Sequence, residues 1–485
     1  MNVLGETRRS PTATNWSSLM SATIKFGTSG WRAIVAEDFT VSNVRRAVAG
    51  IARYVVGKNA AGPRIIVGRD PRFMGERFVE VAAEVLSAFA VKPLVIADAA
   101  PTPAISYEVI RTKADGAINF TASHNPPEYN GIKFSTPDGA PALPEVTGAI
   151  EALIGADGQP PSGSPAKTAA ESIDPKPAYL ARLGEIVDLK LIRASGLKVV
   201  FDPLWGAGRS YSDELLRSAG VPVVTVHDTR DVLFGGHAPE PEGHLLNEMR
   251  QRMKETGARI GIAADGDADR FGIVDEDGAF IQPNYIIALL FDYLVETREW
   301  KNGVAKSVAT TNMINALAEH HHVQLYETPV GFKYIGELIK QDKIAIGGEE
   351  SAGLSVRYHV PEKDGIIAGL LCCEAVARRK KSITGQIKDL FGKVGSFYPQ
   401  RENFRLTPEA KAKFTSKLAS DPAELSGRKV QQVVRTDGLK LIFEDGSWVC
   451  YRTSGTEPVV RVYSEARSEA ELARLAAIAR DWIAQ

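Results

Sequence analysis

The chain has 485 residues, which is too long for one ordinary hydrophobic core and favours three or four domains. Its 58 basic and 59 acidic residues give a formal net charge of −1, so no overall positive field would hold a nucleic acid. Apolar residues make up 44% and charged residues 24%, which is the balance of a folded globular protein. We therefore exclude a disordered chain, and any site for an anion must be local.

The cysteines and the N-terminus indicate the compartment. Cys372, Cys373 and Cys450 are odd in number, and two of them are adjacent in an apolar run, which favours buried thiols in a reducing, cytoplasmic environment. No stretch approaches the roughly 18 apolar residues of a membrane span, and no secretory signal is recognisable. Residues 1–21 are polar and aperiodic, which predicts a disordered extension, and Met20 is an alternative physiological start to Met1.

The first predicted domain comprises residues 22–168. Apolar residues recur at three- and four-residue spacing from Ser42, which predicts a helix. A strand at 64–68, a helix at 78–89 and strands at 93–97 and 116–121 follow, and the last strand leads directly into Ser123. This alternation favours an α/β layer structure, and the Pro/Gly/Ser-rich segment 158–165 is predicted to be a linker or surface loop.

Three further domains are predicted. Domain 2 (169–279) has strands at 197–201 and 259–264. Domain 3 (280–394) opens with an apolar helix at 286–294 and has strands near 308 and at 344–346. Domain 4 (395–485) has four short strands and a helix at 470–483, which is typical of an α+β unit. Strands of the first three units end in polar loops, where open α/β sheets place ligands, so these loops and one from the fourth unit are expected to converge on one cleft.

Ser123 lies in Thr-Ala-Ser-His-Asn-Pro at the end of a predicted buried strand. Pro126 and Pro127 prevent a helix from continuing and stiffen the loop, so the serine is predicted to be rigid and exposed. Taken alone, the motif also fits an ordinary turn that carries a serine.

Three aspartates, Asp265, Asp267 and Asp269, alternate with small residues at the end of another predicted strand. Such a backbone can direct three carboxylates at one point, which predicts a divalent-cation site and favours Mg²⁺. An EF-hand is the competing interpretation, because Glu276 stands at the twelfth position, but Arg270 occupies the position of its obligatory glycine. A solvated acidic turn is the structural alternative. His320, His321 and His322 are interpreted as an exposed helix end, not a metal site.

The segment Arg-Thr-Ser-Gly-Thr-Glu-Pro from Arg452, followed by Arg461, offers guanidinium groups, hydroxyls and turn amides within ten residues. These groups are typical of a phosphate cradle, although a hairpin turn with surface arginines fits equally well.

Together, these motifs resemble the α-D-phosphohexomutase superfamily over essentially all of residues 23–485. The resemblance includes Gly-Thr-Ser-Gly-Trp-Arg at 27–32, Glu-Tyr-Asn-Gly-Ile-Lys at 128–133, Thr-Pro-Val-Gly at 328–331 and Gly-Gly-Glu-Glu-Ser at 347–351. It implies three similar α/β domains with mixed sheets and a C-terminal α+β domain around a central cleft.

The resemblance also implies residue roles. The serine that is phosphorylated in the family and the Mg²⁺ ligands match Ser123, Asp265, Asp267 and Asp269. Further catalytic roles are implied for Arg32, His124, Lys133 and Arg270, with Lys133 moving the hydroxyl proton if neighbouring cations depress its pKa. The implied substrate-binding residues are Thr328, Gly331, Glu349, Ser351, His359, Lys363, Arg452, Ser454, Gly455, Thr456 and Arg461.

The activity implied is interconversion of hexose 1- and 6-phosphates, with a hexose 1,6-bisphosphate such as glucose 1,6-bisphosphate as intermediate and primer. The phosphomannomutase/phosphoglucomutase branch carries a histidine where Gly353 stands, and the phosphoglucosamine branch usually has glutamine where Glu350 stands. The loop Gly-Glu-Glu-Ser-Ala-Gly at 348–353 and the segment 359–365 resemble the phosphoglucomutase branch, which favours glucose. Phosphomannomutase and phosphoglucosamine mutase stay open, as do a sugar-phosphate phosphatase and a non-catalytic sensor. The expected partner is a hexose phosphate, with no nucleic acid or membrane, and the chain is expected to be a monomer or homodimer.

Overall fold

A computed structural model describes residues 23–27, 29–59, 61–155, 168–453 and 459–484. The predicted N-terminal extension with Met20, the predicted linker at 158–165 and the predicted phosphate ligands Ser454, Gly455 and Thr456 lie outside the described residues. Within those ranges, no helix is long and apolar enough to cross a membrane.

The first unit is a six-stranded mixed sheet with the order β1-β5-β4-β2-β3-β6. Its strands are β1 (Trp31–Ile34), β2 (Arg64–Arg69), β3 (Lys92–Ile96), β4 (Ala117–Phe120), β5 (Tyr129–Ser135) and β6 (Glu171–Ile173). Its helices are α1 (Val41–Lys58), α2 (Gly75–Ala88), α3 (Thr102–Thr112) and α4 (Pro144–Ala152). α1 begins after the capping Thr40 and buries Val44, Val48 and Ile51, as its periodicity predicted.

The second unit is a five-stranded sheet with the order β11-β10-β9-β7-β8. Its elements are α5 (Lys176–Ile186), α6 (Leu189–Ala194), β7 (Val199–Asp202), α7 (Ser212–Ser218), β8 (Val223–Thr225), α8 (Asn247–Thr256), β9 (Ile260–Ala264), β10 (Phe271–Asp275) and β11 (Phe280–Ile281). β9 and β10 form an antiparallel hairpin, and the three aspartates lie in its connection.

The third unit is a four-stranded sheet with the order β13-β12-β14-β15. Its elements are α9 (Pro283–Arg298), β12 (Val304–Ser307), α10 (Met313–His320), β13 (Leu325–Thr328), α11 (Phe332–Lys340), β14 (Ile346–Glu349), β15 (Gly353–Val356), α12 (Gly365–Arg379) and α13 (Ile383–Val394). α9 and α12 are buried over most of their lengths, and their residues belong to one hydrophobic core shared with the second unit.

The C-terminal unit is an antiparallel sheet with the order β16-β21-β20-β19-β18-β17 and two helices. Its elements are β16 (Tyr398–Arg405), α14 (Pro408–Leu418), β17 (Glu424–Leu425), β18 (Arg428–Val434), β19 (Leu439–Phe443), β20 (Trp448–Thr453), β21 (Val459–Ala466) and α15 (Glu469–Ala484). Three α/β units and an α+β unit are therefore confirmed.

The structure shifts two predicted domain boundaries. β6 pairs with β3 in the first sheet, although residues from 169 onward were assigned to domain 2. β11 likewise pairs with β10 in the second sheet, although residues from 280 onward were assigned to domain 3. In both cases the chain adds one short strand to the previous sheet before it starts the next unit.

The prediction that the three thiols are buried is confirmed, because Cys372, Cys373 and Cys450 are buried and free. The histidine prediction is confirmed only in part. α10 ends at His320, but the His321 ring packs inward, and its Nε2 lies 2.8 Å from Asp292 Oδ1.

Candidate active site

Ser123 follows β4 in a strained loop. Its φ of 49° lies in the left-handed region, which non-glycine residues rarely adopt. The side chain is buried, with the residue 1% exposed, and its Oγ donates to Asp265 Oδ2 at 2.6 Å. The prediction that Ser123 is exposed is therefore wrong. It is covered by the loop at 265–270 between β9 and β10 of the second unit, which we call the metal loop after its predicted role.

Arg72 holds the serine loop, and sequence reasoning missed it. Its fully buried guanidinium donates to four backbone carbonyls, those of Ser123 (2.7 Å), Asn125 (2.6 Å), Pro126 (2.8 Å) and Tyr129 (3.0 Å). Its Nε also lies 3.0 Å from Asp70 Oδ2. The signal available in the sequence was Arg-Asp-Pro-Arg at 69–72, a charged loop directly after the buried strand β2.

One carboxylate oxygen from each of Asp265, Asp267 and Asp269 lies within 4.8 Å of the other two, and all three residues are buried. Asp267 Oδ1 and Asp269 Oδ1 have no hydrogen-bond partner among the described residues. Three converging hard oxygen ligands, two of them unpartnered, fit Mg²⁺. The flanking strands and an exposed Glu276 that pairs with Arg259 do not fit an EF-hand.

Charge repulsion within this cluster is strong. Burial raises the pKa of Asp265 well above its ordinary value, and the carboxylates of Asp267 and Asp269 raise it further. Burial also acts on the other two aspartates, but nearby cations, Lys133 above all, hold the pKa of each below its ordinary value. The protein thus compensates two of the three carboxylates.

Lys133 lies on β5, and its Nζ is 2.5 Å from Asp267 Oδ2 and 2.7 Å from Asp269 Oδ2. Burial would lower its pKa, but these two carboxylates outweigh burial and raise it. This direction is the opposite of the depression by neighbouring cations on which proton transfer by Lys133 depends, and the proton-transfer role stays a prediction. Lys363 lies close by, with its Nζ 3.0 Å from Asp269 Oδ2 and 2.9 Å from Glu362 Oε1.

Arg32, on β1, adds another cation to the site, and His124 follows the serine in the chain. Arg32 Nη1 donates to Asn125 Oδ1 at 2.6 Å, while its buried Nε has no partner among the described residues. His124 Nδ1 lies 3.3 Å from Glu240, which also binds Arg270 Nη1 at 3.0 Å. Burial and the Arg270 charge lower the pKa of His124 to about 4, so the ring is neutral near pH 7.

The metal loop also contacts the first unit. At the N-terminus of α3, Thr102 N donates to Asp267 O at 2.9 Å, and Thr102 Oγ1 donates to Asp267 Oδ2. Asn119 Nδ2 in turn donates to Thr102 Oγ1 at 2.8 Å. These bonds fix the orientation of the Asp267 carboxylate and leave its Oδ1 free.

In the third unit, Glu349 ends β14 and accepts a hydrogen bond from Gly331 N at 2.7 Å. Thr328 is buried at the end of β13, and its Oγ1 donates to Pro329 O. Ser351 lines a cavity of about 380 Å³ together with Arg270 and other residues of units two, three and four. The sequence motifs of this unit therefore do converge toward the metal loop.

His359 was expected to contact the sugar, and the structure corrects this expectation. Its side chain is fully buried, and Nε2 lies 2.6 Å from Asp364 Oδ2, which also accepts a hydrogen bond from Tyr179 at 2.6 Å. Asp364 caps α12, so His359 supports the helix behind the site.

From the C-terminal unit, Arg452 Nη2 lies 2.8 Å from Asp437 Oδ2, and Arg452 Nε is buried without a partner among the described residues. Arg461 is partly buried on β21, opposite Arg452 in the strand register.

A larger cavity of about 860 Å³ lies elsewhere, near α5 and α6, and is lined by residues such as Arg182, Trp300 and Arg378. Its arginines already pair with Glu185 and Asp188, and it contains none of the predicted site residues. The candidate site is therefore identified by the chemical groups that it brings together and not by the volume of its cavity.

The chain is similar to known proteins along most of its length. Four models of phosphoglucomutase/phosphomannomutase domains match in order: α/β/α domain I at 23–160, domain II at 177–278, domain III at 282–394 and the C-terminal domain at 403–481. A phosphoglucomutase/phosphomannomutase from Thermococcus kodakarensis is 32% identical over 92% of this chain and 95% of its own length. A phosphoglucosamine mutase from Thermobifida fusca is 31% identical over 94% and 98%. A crystal structure from Thermus thermophilus, described as a phosphomannomutase, has a TM-score of 0.83 and 31% identity, covering 96% of this chain and all of that one.

Proposed function

This chain belongs to the phosphoglucomutase/phosphomannomutase family of the α-D-phosphohexomutase superfamily, and from this premise we propose that it interconverts hexose 1- and 6-phosphates through a phosphoserine at Ser123. The observation that carries the proposal is the position of Ser123 Oγ, 2.6 Å from one carboxylate of a buried aspartate triad. A serine that only formed a turn would not need buried carboxylates around its hydroxyl group.

The residues divide the chemical work. Mg²⁺ bound by Asp265, Asp267 and Asp269 would supply Lewis-acid stabilisation of phosphoryl oxygens. Arg32 and Lys133 would compensate the charge of the phosphoserine, and we propose this electrostatic role for Lys133 in place of proton transfer. Glu349 and Ser351 would hold sugar hydroxyls, and Arg452 would hold the phosphate that is not transferred.

In the transfer step, a sugar hydroxyl oxygen bonds to phosphorus while the bond from phosphorus to Ser123 Oγ breaks. In net terms the hydroxyl proton ends on Ser123 Oγ, and the sugar becomes a 1,6-bisphosphate. After the bisphosphate turns over in the cleft, the reverse step returns its other phosphoryl group to Ser123. The cycle starts only when Ser123 carries a phosphoryl group. Protein that has lost this group therefore needs a trace of hexose 1,6-bisphosphate as primer.

We propose glucose as the preferred sugar. The phosphomannomutase/phosphoglucomutase branch carries a histidine at the position of Gly353. In this chain a Cβ atom at Gly353 would lie 2.3 Å from Lys363 Cδ, so a histidine there would displace Lys363. Glucose and mannose share the 3- and 4-hydroxyls that Glu349 and Ser351 would bind, so discrimination must arise around C2. Steric crowding around C2 would discriminate between the two sugars by only about 1–3 kcal/mol. Polar groups of the site that the wrong sugar left without a hydrogen-bond partner would discriminate more strongly.

The test is a substrate panel with Mg²⁺ and one fixed concentration of glucose 1,6-bisphosphate. We expect kcat/KM for glucose 1-phosphate to exceed that for mannose 1-phosphate and glucosamine 1-phosphate by roughly tenfold or more. Equal or better turnover of mannose 1-phosphate would defeat the glucose assignment. Release of inorganic phosphate without isomerisation would indicate a phosphatase, and no turnover of any sugar would reject the mutase.

The serine assignment has its own variants. Ser123→Ala should abolish isomerisation, and peptide mapping of purified wild-type protein should locate phosphate on Ser123. Ser172→Ala, which changes an exposed serine on β6, is the matched control and should keep full activity. Activity of Ser123→Ala at the wild-type rate would contradict the carrier role.

A further inference from the structure

The turn between β18 and β19 carries a carboxylate that reaches two units. Asp437 Oδ2 accepts a hydrogen bond from Arg452 Nη2 at 2.8 Å within the C-terminal unit and another from Val330 N at 3.0 Å in the third unit. The turn is pressed against β20, since Gly438 has a φ of 77° and a Cβ there would lie 2.2 Å from Tyr451 O. Only glycine fits at that position, so the backbone fixes where the Asp437 side chain starts.

Val330 belongs to the loop that supports the predicted sugar-binding carboxylate. The amides of Val330 and Gly331 are consecutive, and they point to different acceptors: Val330 N to Asp437 and Gly331 N to Glu349 Oε1 at 2.7 Å. One short loop therefore connects Glu349 to Arg452 through Asp437. The two groups that would bind the sugar and its phosphate share a single support.

The other links between these two units differ in kind. Glu465 accepts from Asn312 N at 2.9 Å, and Lys440 Nζ donates to Val308 O at 2.9 Å. Both hold the C-terminal sheet against the third unit, but neither contacts Arg452. Within the part of the chain that the structure describes, Asp437 is the interdomain link that involves a predicted phosphate ligand.

We propose that Asp437 is a positioning residue, which orients the Arg452 guanidinium and joins the C-terminal unit to the loop behind Glu349. This inference rests on the proposed function, because it takes Arg452 as the phosphate ligand. Asp437 binds Nη2 and leaves the buried Nε of Arg452 available as a donor. An arginine held in one orientation loses less side-chain entropy when it binds a phosphate.

The kinetic test is a double-mutant cycle with Asp437→Ala and Arg452→Lys. The phosphate is gripped in both the ground and the transition state, so loss of orientation should weaken binding uniformly. We expect Asp437→Ala to raise KM for glucose 1-phosphate by roughly tenfold while kcat stays within about threefold. In the Arg452→Lys background the same change should have little further effect, because the oriented group is already gone. Additive effects would overturn the proposal.

A second readout does not depend on turnover. Asp437→Ala removes the acceptor of the Val330 amide, so hydrogen exchange should become faster in the peptide that contains Val330. Unchanged exchange there would overturn the interdomain link. If Asp437→Ala showed this exchange effect but the wild-type protein had no mutase activity, the proposed function would fail and the link would stand.

Asp445→Asn is the matched control for both readouts. Asp445 also lies in a turn of the C-terminal unit and pairs with an arginine, Arg428, at 2.5 Å, and its contacts with Arg428 and Ser447 stay within that unit. The substitution should change neither KM nor exchange around Val330. A change equal to that of Asp437→Ala would indicate general destabilisation of the unit and overturn the specific role.

Discussion

At the scale of the residue, the buried guanidinium of Arg72 organises the serine loop. A non-glycine residue in the left-handed region costs of order 1–3 kcal/mol and persists only when its surroundings hold it. Arg72 supplies that hold through the carbonyl oxygen of Ser123 itself and through three carbonyls beyond it. The reactive oxygen is thus positioned by the backbone that carries it.

We predict that Arg72→Lys lowers kcat by on the order of a hundredfold, because the compact ammonium group cannot reach four carbonyls and Asp70 together. Leaving buried carbonyl groups without a donor should also lower the stability, by about 1–3 kcal/mol for each such group. Activity assays and urea denaturation measure the two effects. Arg77→Lys, at an exposed pair with Glu80 on α2, is the control. Turnover within threefold of wild type would show that other contacts hold the loop.

Sequence reasoning identified the residues of the proposed site better than the residues that support them. Ser123 and the aspartate triad were predictable because each motif follows a buried strand and carries an unusual density of polar groups. Arg72 was missed because a charged loop after a strand is common on protein surfaces, and nothing in the sequence shows that this one is buried. His359 was misassigned for the opposite reason, since Lys363 of the same motif contacts Asp269 while the His359 ring is buried against Asp364.

At the scale of the element, the N-terminus of α3 acts across a domain boundary. Thr102 uses both its amide and its hydroxyl on Asp267, so a helix of the first unit orients a metal ligand of the second. Groups that orient ligands in this way commonly change metal affinity by 10–100-fold when they are removed.

We predict that Thr102→Val weakens the apparent Mg²⁺ affinity by about tenfold or more, because the isosteric side chain cannot donate to Asp267. The Mg²⁺ dependence of activity, or of the melting temperature, measures this. Thr112→Val on the same helix removes a hydroxyl that bonds only within the helix, to Glu108 O, and serves as control. Equal Mg²⁺ affinities for wild type and Thr102→Val would refute the positioning role.

Element prediction failed where pairing depends on backbone geometry. β5, which carries Lys133, was not among the predicted strands, because Asn130 and Gly131 have low strand propensity, yet it is paired on both sides, with β1 and β4. β6 was placed in the wrong domain because a three-residue strand has no readable periodicity. Both strands form because neighbouring strands offer free backbone groups, which no local pattern reveals.

At the scale of the whole molecule, a buried lysine marks the junction of the third and fourth units. Lys440 Nζ donates to Val308 O, lies 4.2 Å from the Trp448 ring centre and is 3.5 Å from Glu327. Burial, together with repulsion from Lys306, lowers the pKa of Lys440 to about 8. The ordinary value in an unfolded chain is about 10.4.

The lowered pKa of Lys440 determines whether the stability of the folded protein rises or falls with pH. Below about pH 8 Lys440 is protonated in both the folded and the unfolded protein. Between about pH 8 and 10 the unfolded chain still holds this proton, whereas the folded protein has lost it. The free energy of unfolding therefore rises with pH in this window. We predict that the wild-type protein gains up to about 1.4 kcal/mol per pH unit in this window relative to Lys440→Met. Urea midpoints measured across the window test this, with the exposed Lys429→Met as control. Parallel pH profiles for wild type and Lys440→Met would contradict the prediction.

The number of domains and the approach of the loops at 123–125, 265–270 and 349–351 to one another were predictable, because polar loops at strand ends of open α/β sheets are where ligand sites form. The supports between units, such as Asp437 and Thr102, were not, because they join residues more than a hundred positions apart in the sequence.

The overlap of β6 with the first sheet has a consequence for synthesis on the ribosome. Until residues 171–173 leave the exit tunnel, the outer edge of β3 has no neighbouring strand, although every other strand of that sheet is already available. An open strand edge on a nascent chain is a template for pairing with other chains. The last three residues to join the sheet therefore protect the growing polypeptide during translation, before the later units that complete the cleft have been made.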